Sequence, residues 1–113
     1  MVLIGASMGG TASIKVAATE PVAGVVSISA LEGFRGLTMG VQQVWAPVLL
    51  LAETGDFSAA SSLQQMKDSG LLLNFSTVLY GQGDSHGTDI FLGTNGPRAT
   101  QKILEFLDNT TGG

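Results

Sequence analysis

A chain of 113 residues, 44% hydrophobic and only 12% charged, suits a single domain with fewer charges than an ordinary soluble surface, where about a quarter of residues are charged. A net charge of −4 with five scattered Lys and Arg residues excludes the basic face of a nucleic-acid binder. The absence of Cys and the presence of one His exclude a disulfide framework, a thiolate metal site and a multi-histidine metal centre, and no cofactor is expected.

Met1 to Ile4 is a short apolar run stopped by Gly5, and it reads as a buried strand. It has no basic flank and is too short for a signal peptide or a membrane span, so the cytoplasm is the default location and no membrane partner is expected. Met8 to Thr19 is rich in small residues and reads as a helix packed closely on a flat surface, ended by Pro21. Val22 to Ser29 is β-branched and forms a second strand. Leu31 to Val44 carries three glycines and is read as a short helix with loops.

Pro47 to Ala52 makes a third strand, with its proline at the start. Ser58 to Asp68 is a helix with Gly70 as its C-terminal cap. The fourth strand is FSTVLY, at the end of Leu71 to Tyr80, and Gly81 to Gly87 is a loop. Asn95-Gly96-Pro97 starts the last helix, with Ile103, Leu104, Phe106 and Leu107 as its apolar stripe and a frayed tail from Asn109. Apolar strands alternating with helices predict an α/β fold of three layers, with about four parallel strands flanked by helices.

A small domain needs much polar coating, and this one has little. The shortage points to apolar surface covered by another chain. A homo-oligomer is therefore expected, most simply a two-fold dimer with the first strand at or near the interface.

Gly5-Ala6-Ser7-Met8-Gly9 matches G-x-S-x-G directly after a strand and directly before a helix. Such a serine sits on a sharp turn with strained backbone angles, which makes its hydroxyl project from the sheet. Side chains two residues before and after would collide, so Gly5 and Gly9 are expected for steric reasons, and Gly10 lets the helix lie close to the strand. The helix points free N–H groups at the reaction centre, with that of Met8 as the oxyanion donor. The plainer reading is a phosphate-binding or merely tight turn. A dinucleotide loop of the short-chain dehydrogenase kind would want a glycine at position 11, where Thr stands, and a lysine four residues after Tyr80, where Asp84 stands.

His86 follows the fourth strand in the loop GQGDSHG. A lone loop histidine is most often a surface residue. In a parallel sheet, however, all carboxyl ends lie on one edge, which puts His86 and Ser7 on the same edge. A neutral imidazole there can accept the serine proton and return it to a leaving group. The third strand delivers Asp56 to that edge in PVLLLAETGD. Asp56 is the candidate acid that orients His86, with Glu53, Asp84 and Asp89 as rivals. Its bland reading is a helix N-cap.

The chain resembles the C-terminal half of small bacterial α/β-hydrolases, including the dienelactone-hydrolase-like group. VLIGASMGGTAS resembles the nucleophile strand, elbow and following helix; APVLLLAETGD the acid turn; GDSHGTDIF the histidine loop; and KILEFL the final helix. The likeness runs over nearly all of residues 1–113. It implies one truncated α/β-hydrolase-like domain with Ser7, Asp56 and His86 as a triad in the family's chain order. It implies an esterase acting on short-chain carboxylic esters through an acyl-serine. The family sheet usually has eight strands, so the resemblance also implies a missing half that pairs with Met1 to Ile4 and carries the second oxyanion donor. The segment from Ala30 to Ala46 is too short for a large lid, which leaves an open site with Leu31, Phe34, Leu37 and Met39 as candidate acyl-pocket walls or, equally, as ordinary core. The alternative function is a non-catalytic half of a split hydrolase, or an assembly module that retains the elbow.

Overall fold

The two strands buried along their whole length form the centre of the molecule. Their alternate side chains feed two separate cores. The computed structural model describes residues 1–31, 33–34, 37–38, 44–68 and 74–111. In chain order the elements are β1 (Val2–Ala6), α1 (Met8–Ala17), β2 (Gly24–Ile28), β3 (Gly33–Phe34), β4 (Leu37–Thr38), β5 (Val48–Glu53), α2 (Phe57–Asp68), β6 (Phe75–Tyr80), a 3-10 helix over Gly87–Leu92, and α3 (Gly96–Thr111).

β1, β2, β5 and β6 form one sheet in that spatial order, and every pair is parallel. β1 runs beside β2 from Val2↔Gly24 to Ala6↔Ile28, and β5 beside β6 from Val48↔Phe75 to Glu53↔Tyr80. Val25, Val48, Leu50 and Ala52 meet Ile14 and Ala17 of α1 and Ala59, Leu63 and Met66 of α2 on one face. Val26, Ile28, Leu49 and Leu51 meet Ile90, and Ala99 and Ile103 of α3, on the other. The expected three-layer α/β architecture is thus the observed one. Burying a Val, Leu or Ile side chain is worth about 1.5–3 kcal/mol, so β2 and β5, buried on both faces, are the anchor.

Several expectations are corrected. The described residues between Leu31 and Val44 include an antiparallel strand pair, β3 and β4, not a short helix. Glycines at 33, 36 and 40 disfavour helix there, while Phe34, Leu37 and Thr38 suit extended backbone. The loop expected over Gly81 to Gly87 gives way at Gly87 to a 3-10 helix that runs to Leu92. α3 continues through Asn109 to Thr111 where fraying was expected. Leu104 is 53% exposed and lies off the buried stripe of Ala99 and Ile103, with Phe106 and Leu107 packed beside it. The predicted cap Gly70 lies outside the described residues. No helix among the described residues is long and apolar enough to cross a membrane.

Candidate active site

β1 ends at Ala6 and α1 begins at Met8, which leaves Ser7 alone to turn the chain. Ser7 does so with φ 55° and ψ −124°. A non-glycine residue held in such a region costs on the order of 1–3 kcal/mol and persists only when its surroundings over-determine it. Here the Ser7 N–H donates to the Ile28 carbonyl at 2.8 Å, and the Ser7 carbonyl accepts from Gly10 and Thr11 N–H at 3.0 and 3.2 Å. Gly5 is required, because a Cβ there would run into the Gly9 carbonyl and come within 2.7 Å of Ser13 Oγ. A Cβ on Gly10 would meet Ser27 Oγ of β2 at 2.5 Å, so α1 does lie close to the sheet.

Gly9 corrects the steric expectation. A Cβ on Gly9 would have nothing within 4 Å, because this first turn of α1 faces solvent. The Met8 N–H is one of the first-turn donors that no intrahelical carbonyl can satisfy.

His86 lies between Ser7 and Asp56. Its Nε2 is 2.8 Å from Ser7 Oγ, and its Nδ1 is 2.7 Å from Asp56 Oδ2. A carboxylate can only accept, so Nδ1 carries the proton and Nε2 is left to accept from the Ser7 hydroxyl. The imidazole is 52% exposed while the Asp56 side chain is 12% exposed, so the base faces solvent and its partner is shielded. Asp84 and Asp89 are exposed. Comparison with protein-family models, with curated proteins and with solved structures returned no match.

Asp56 belongs to a turn that three backbone hydrogen bonds hold in place. Thr54 N–H donates to the Tyr80 carbonyl at 2.9 Å, Gly55 N–H to the Gly83 carbonyl at 2.8 Å, and Asp56 N–H to the Glu53 carbonyl at 3.0 Å. The Asp56 carbonyl accepts from Ala60 N–H as α2 starts, while its side chain turns to His86.

Glu53 has a different place from the one a rival acid would need. It is the last residue of β5, only 1% exposed, and its carboxylate turns under the histidine loop. Oε1 accepts from Ser85 N–H at 2.7 Å, and Oε2 accepts from the Asn95 amide. The same Asn95 amide donates to the Gly81 carbonyl at 3.0 Å, and its oxygen accepts from Arg98. Burial pushes the Glu53 carboxyl up, but hydrogen bonds from Asn95 and Ser85 outweigh it and hold the group below the usual range. Sequence reasoning missed Asn95 and Arg98 as parts of the site. The available signal was a carboxylate closing an otherwise apolar strand, VLLLAE, where a charge needs buried partners.

Of the candidate acyl-pocket residues, Leu31 is half-buried and its carbonyl accepts from the Thr11 hydroxyl at 2.5 Å. Phe34 and Leu37 lie on β3 and β4, next to each other in register. Met39 lies outside the described residues.

Proposed function

We propose that the chain is a serine hydrolase that cleaves short-chain carboxylic esters through an acyl-serine intermediate. One observation carries the reading: a single imidazole bridges the hydroxyl of a strained serine at a helix N-terminus and a shielded carboxylate. Ser7 Oγ attacks the ester carbonyl while Nε2 of His86 takes its proton. Asp56 holds the imidazolium that forms. The Met8 N–H stabilises the oxyanion of the tetrahedral intermediate, where such donors act most strongly. The intermediate collapses, the alcohol leaves with the proton from Nε2, and Ser7 remains acylated. Water then attacks the acyl group, His86 takes its proton, and the acid departs as Ser7 recovers its own. The half-exposed imidazole favours soluble, unhindered esters such as acetates and butyrates. The α/β-hydrolase resemblance agrees with this reading through its chain order of Ser, Asp and His.

The test is labelling by a fluorophosphonate together with hydrolysis of a soluble acetate ester. Ser7→Ala is expected to remove the label and to lower kcat by roughly ten-thousand-fold or more. Hydrolysis that survives undiminished in Ser7→Ala removes Ser7 as the nucleophile, and a parent protein that takes no label favours the non-catalytic module instead.

The proposal includes self-association along β1. β1 is an edge of the sheet, and Met1, Ile4, Met8, Phe91, Leu92 and Leu104 are exposed large apolar residues. A second copy paired antiparallel along β1 would cover that edge. Sedimentation at micromolar concentration is expected to give twice the monomer mass of 11.6 kDa. A single species at the monomer mass removes this part of the proposal and leaves the chemistry untouched.

A further inference from the structure

The loop that presents His86 is poorly packed. Gly81, Gln82, Asp84 and His86 are exposed, and Gly83 and Ser85 are only half-buried. Apolar burial holds the chain just after His86, where Gly87 and Ile90 are buried, but it does not hold the stretch that leads into it. Hydrogen bonds to the loop backbone do. Gly55 N–H holds the Gly83 carbonyl, Glu53 Oε1 holds Ser85 N–H, and Asn95, itself bound to Glu53 Oε2, holds the Gly81 carbonyl. Two of these three tethers run through the Glu53 carboxylate. The loop also rests on that carboxylate, since a Cβ on Gly83 would overlap it.

Building on the proposed triad, we infer that Glu53 is a positioning residue for the base: its buried carboxylate holds the backbone that leads into His86, at Ser85 directly and at Gly81 through Asn95, and so sets Nε2 over Ser7 Oγ. The turn from Glu53 to Asp56 then grips the histidine twice. Asp56 holds the ring at Nδ1, and Glu53 holds the chain one residue earlier, at Ser85. The arrangement requires acceptors at both Glu53 oxygens. Arg98 occupies the Asn95 carbonyl oxygen, so Asn95 can present only its NH2 to Glu53. Glu53→Gln keeps the shape and an oxygen for Ser85 N–H, but it sets an NH2 against the Asn95 NH2. Glu53→Gln combined with Asn95→Asp restores a donor facing an acceptor, keeps an oxygen for Ser85 N–H and still offers one to Arg98, and it gives up only the bond to the Gly81 carbonyl.

The experiment compares the parent, Glu53→Gln and the double variant by steady-state hydrolysis of a soluble acetate ester and by NMR of the chain's single histidine. A misplaced base should act on kcat and not on binding. Glu53→Gln is expected to lower kcat by roughly 10- to 100-fold, as displacements near 1 Å do, with KM changed by less than about twofold. The hydrogen-bonded Nδ1–H resonance should broaden or move upfield while the circular dichroism of the fold is retained. The double variant should recover part of the loss, together with the resonance, because the bond to Ser85, next to His86, is the one regained. Unchanged kcat and resonance in Glu53→Gln would overturn the inference, as would a double variant no better than the single. If Glu53→Gln does not fold, the double variant against the parent decides the matter: a folded double variant with the Nδ1–H resonance in place supports it, and a folded one without the resonance overturns it. A parent with no Ser7-dependent turnover sinks the functional reading alone, because the histidine resonance still reports whether Glu53 holds His86.

Discussion

At the elbow, everything that holds Ser7 in its strained conformation comes from the turn itself, the first turns of α1, and one carbonyl of the neighbouring strand. At the histidine corner, the groups that hold His86 come from the end of β5, the loop after β6 and the start of α3, spread over residues 53 to 98. The elbow is a steric device built on backbone, and no charged group is required. The histidine corner is an electrostatic device built on two carboxylates, one shielded and one fully buried. The difference teaches that one site can combine a part insensitive to pH with a part that depends on it. Substitutions at the two corners should fail in different ways.

The largest effect is expected at Gly5. A methyl there meets the Gly9 backbone, which cannot move without unwinding α1. Gly5→Ala should destabilise the fold by about 3 kcal/mol, the upper end for overpacking, and abolish fluorophosphonate labelling. Urea denaturation measures the first and gel fluorescence the second. A stable, labelled variant would show that the elbow is softer than its geometry. Gly83→Ala should do less to the fold, because its obstacle is the end of a side chain and not backbone. A loss of about 1–2 kcal/mol is expected, with a proportionally larger fall in kcat, since the displaced carboxylate releases Ser85. Equal losses of stability and activity would erase the distinction between the two corners.

A smaller effect distinguishes the corners by pH. The folded Glu53 carboxyl is held below its ordinary value of 4.5, so the unfolded chain binds its proton more readily. The stability that Glu53 contributes is therefore complete above that value and is lost as pH falls toward the lowered folded value. The gap in urea midpoint between the parent and Glu53→Gln should be constant from neutral pH down to about 5 and shrink below it. A gap that widens in acid would mean that burial, not hydrogen bonding, dominates at Glu53.

What could be read in the sequence follows the same division. The elbow is confined to five residues between a strand and a helix, so Gly5 and Ser7 could be placed from local pattern alone. The apolar runs of β2 and β5 gave the buried sheet for the same reason. Parallel strands bring their carboxyl ends to one edge, and this was enough to expect Ser7, Asp56 and His86 as neighbours; His86 lies within hydrogen-bond distance of each of the other two. The partners of Glu53 were not legible, because they lie 32 and 42 positions away and are joined by no periodic pattern. β3 and β4, at two residues each, are too short to show alternation. The 3-10 helix after His86 starts at a glycine with φ 63°, a backbone choice with no apolar signature.

Gly9 is where the motif misled, and it yields the smallest and sharpest prediction. A five-residue pattern with glycine at both ends suggests that both are steric requirements, yet the two positions differ in what surrounds them. Gly5 precedes the turn and points into α1, whereas Gly9 lies on the exposed first turn and faces open space. Glycine inside a helix costs roughly 0.5–1 kcal/mol relative to alanine, because it has more freedom to lose on folding. No contact offsets that cost at Gly9. Gly9→Ala should therefore leave labelling of Ser7 intact and raise stability by up to about 1 kcal/mol, a shift of several degrees in Tm for a chain of this size. Calorimetry with parallel labelling measures both. A destabilised variant would mean that an alanine at position 9 strains the elbow through the backbone, and the contrast between the two glycines would disappear. A stable but unlabelled variant would place the approaching substrate, and not the protein, against that position.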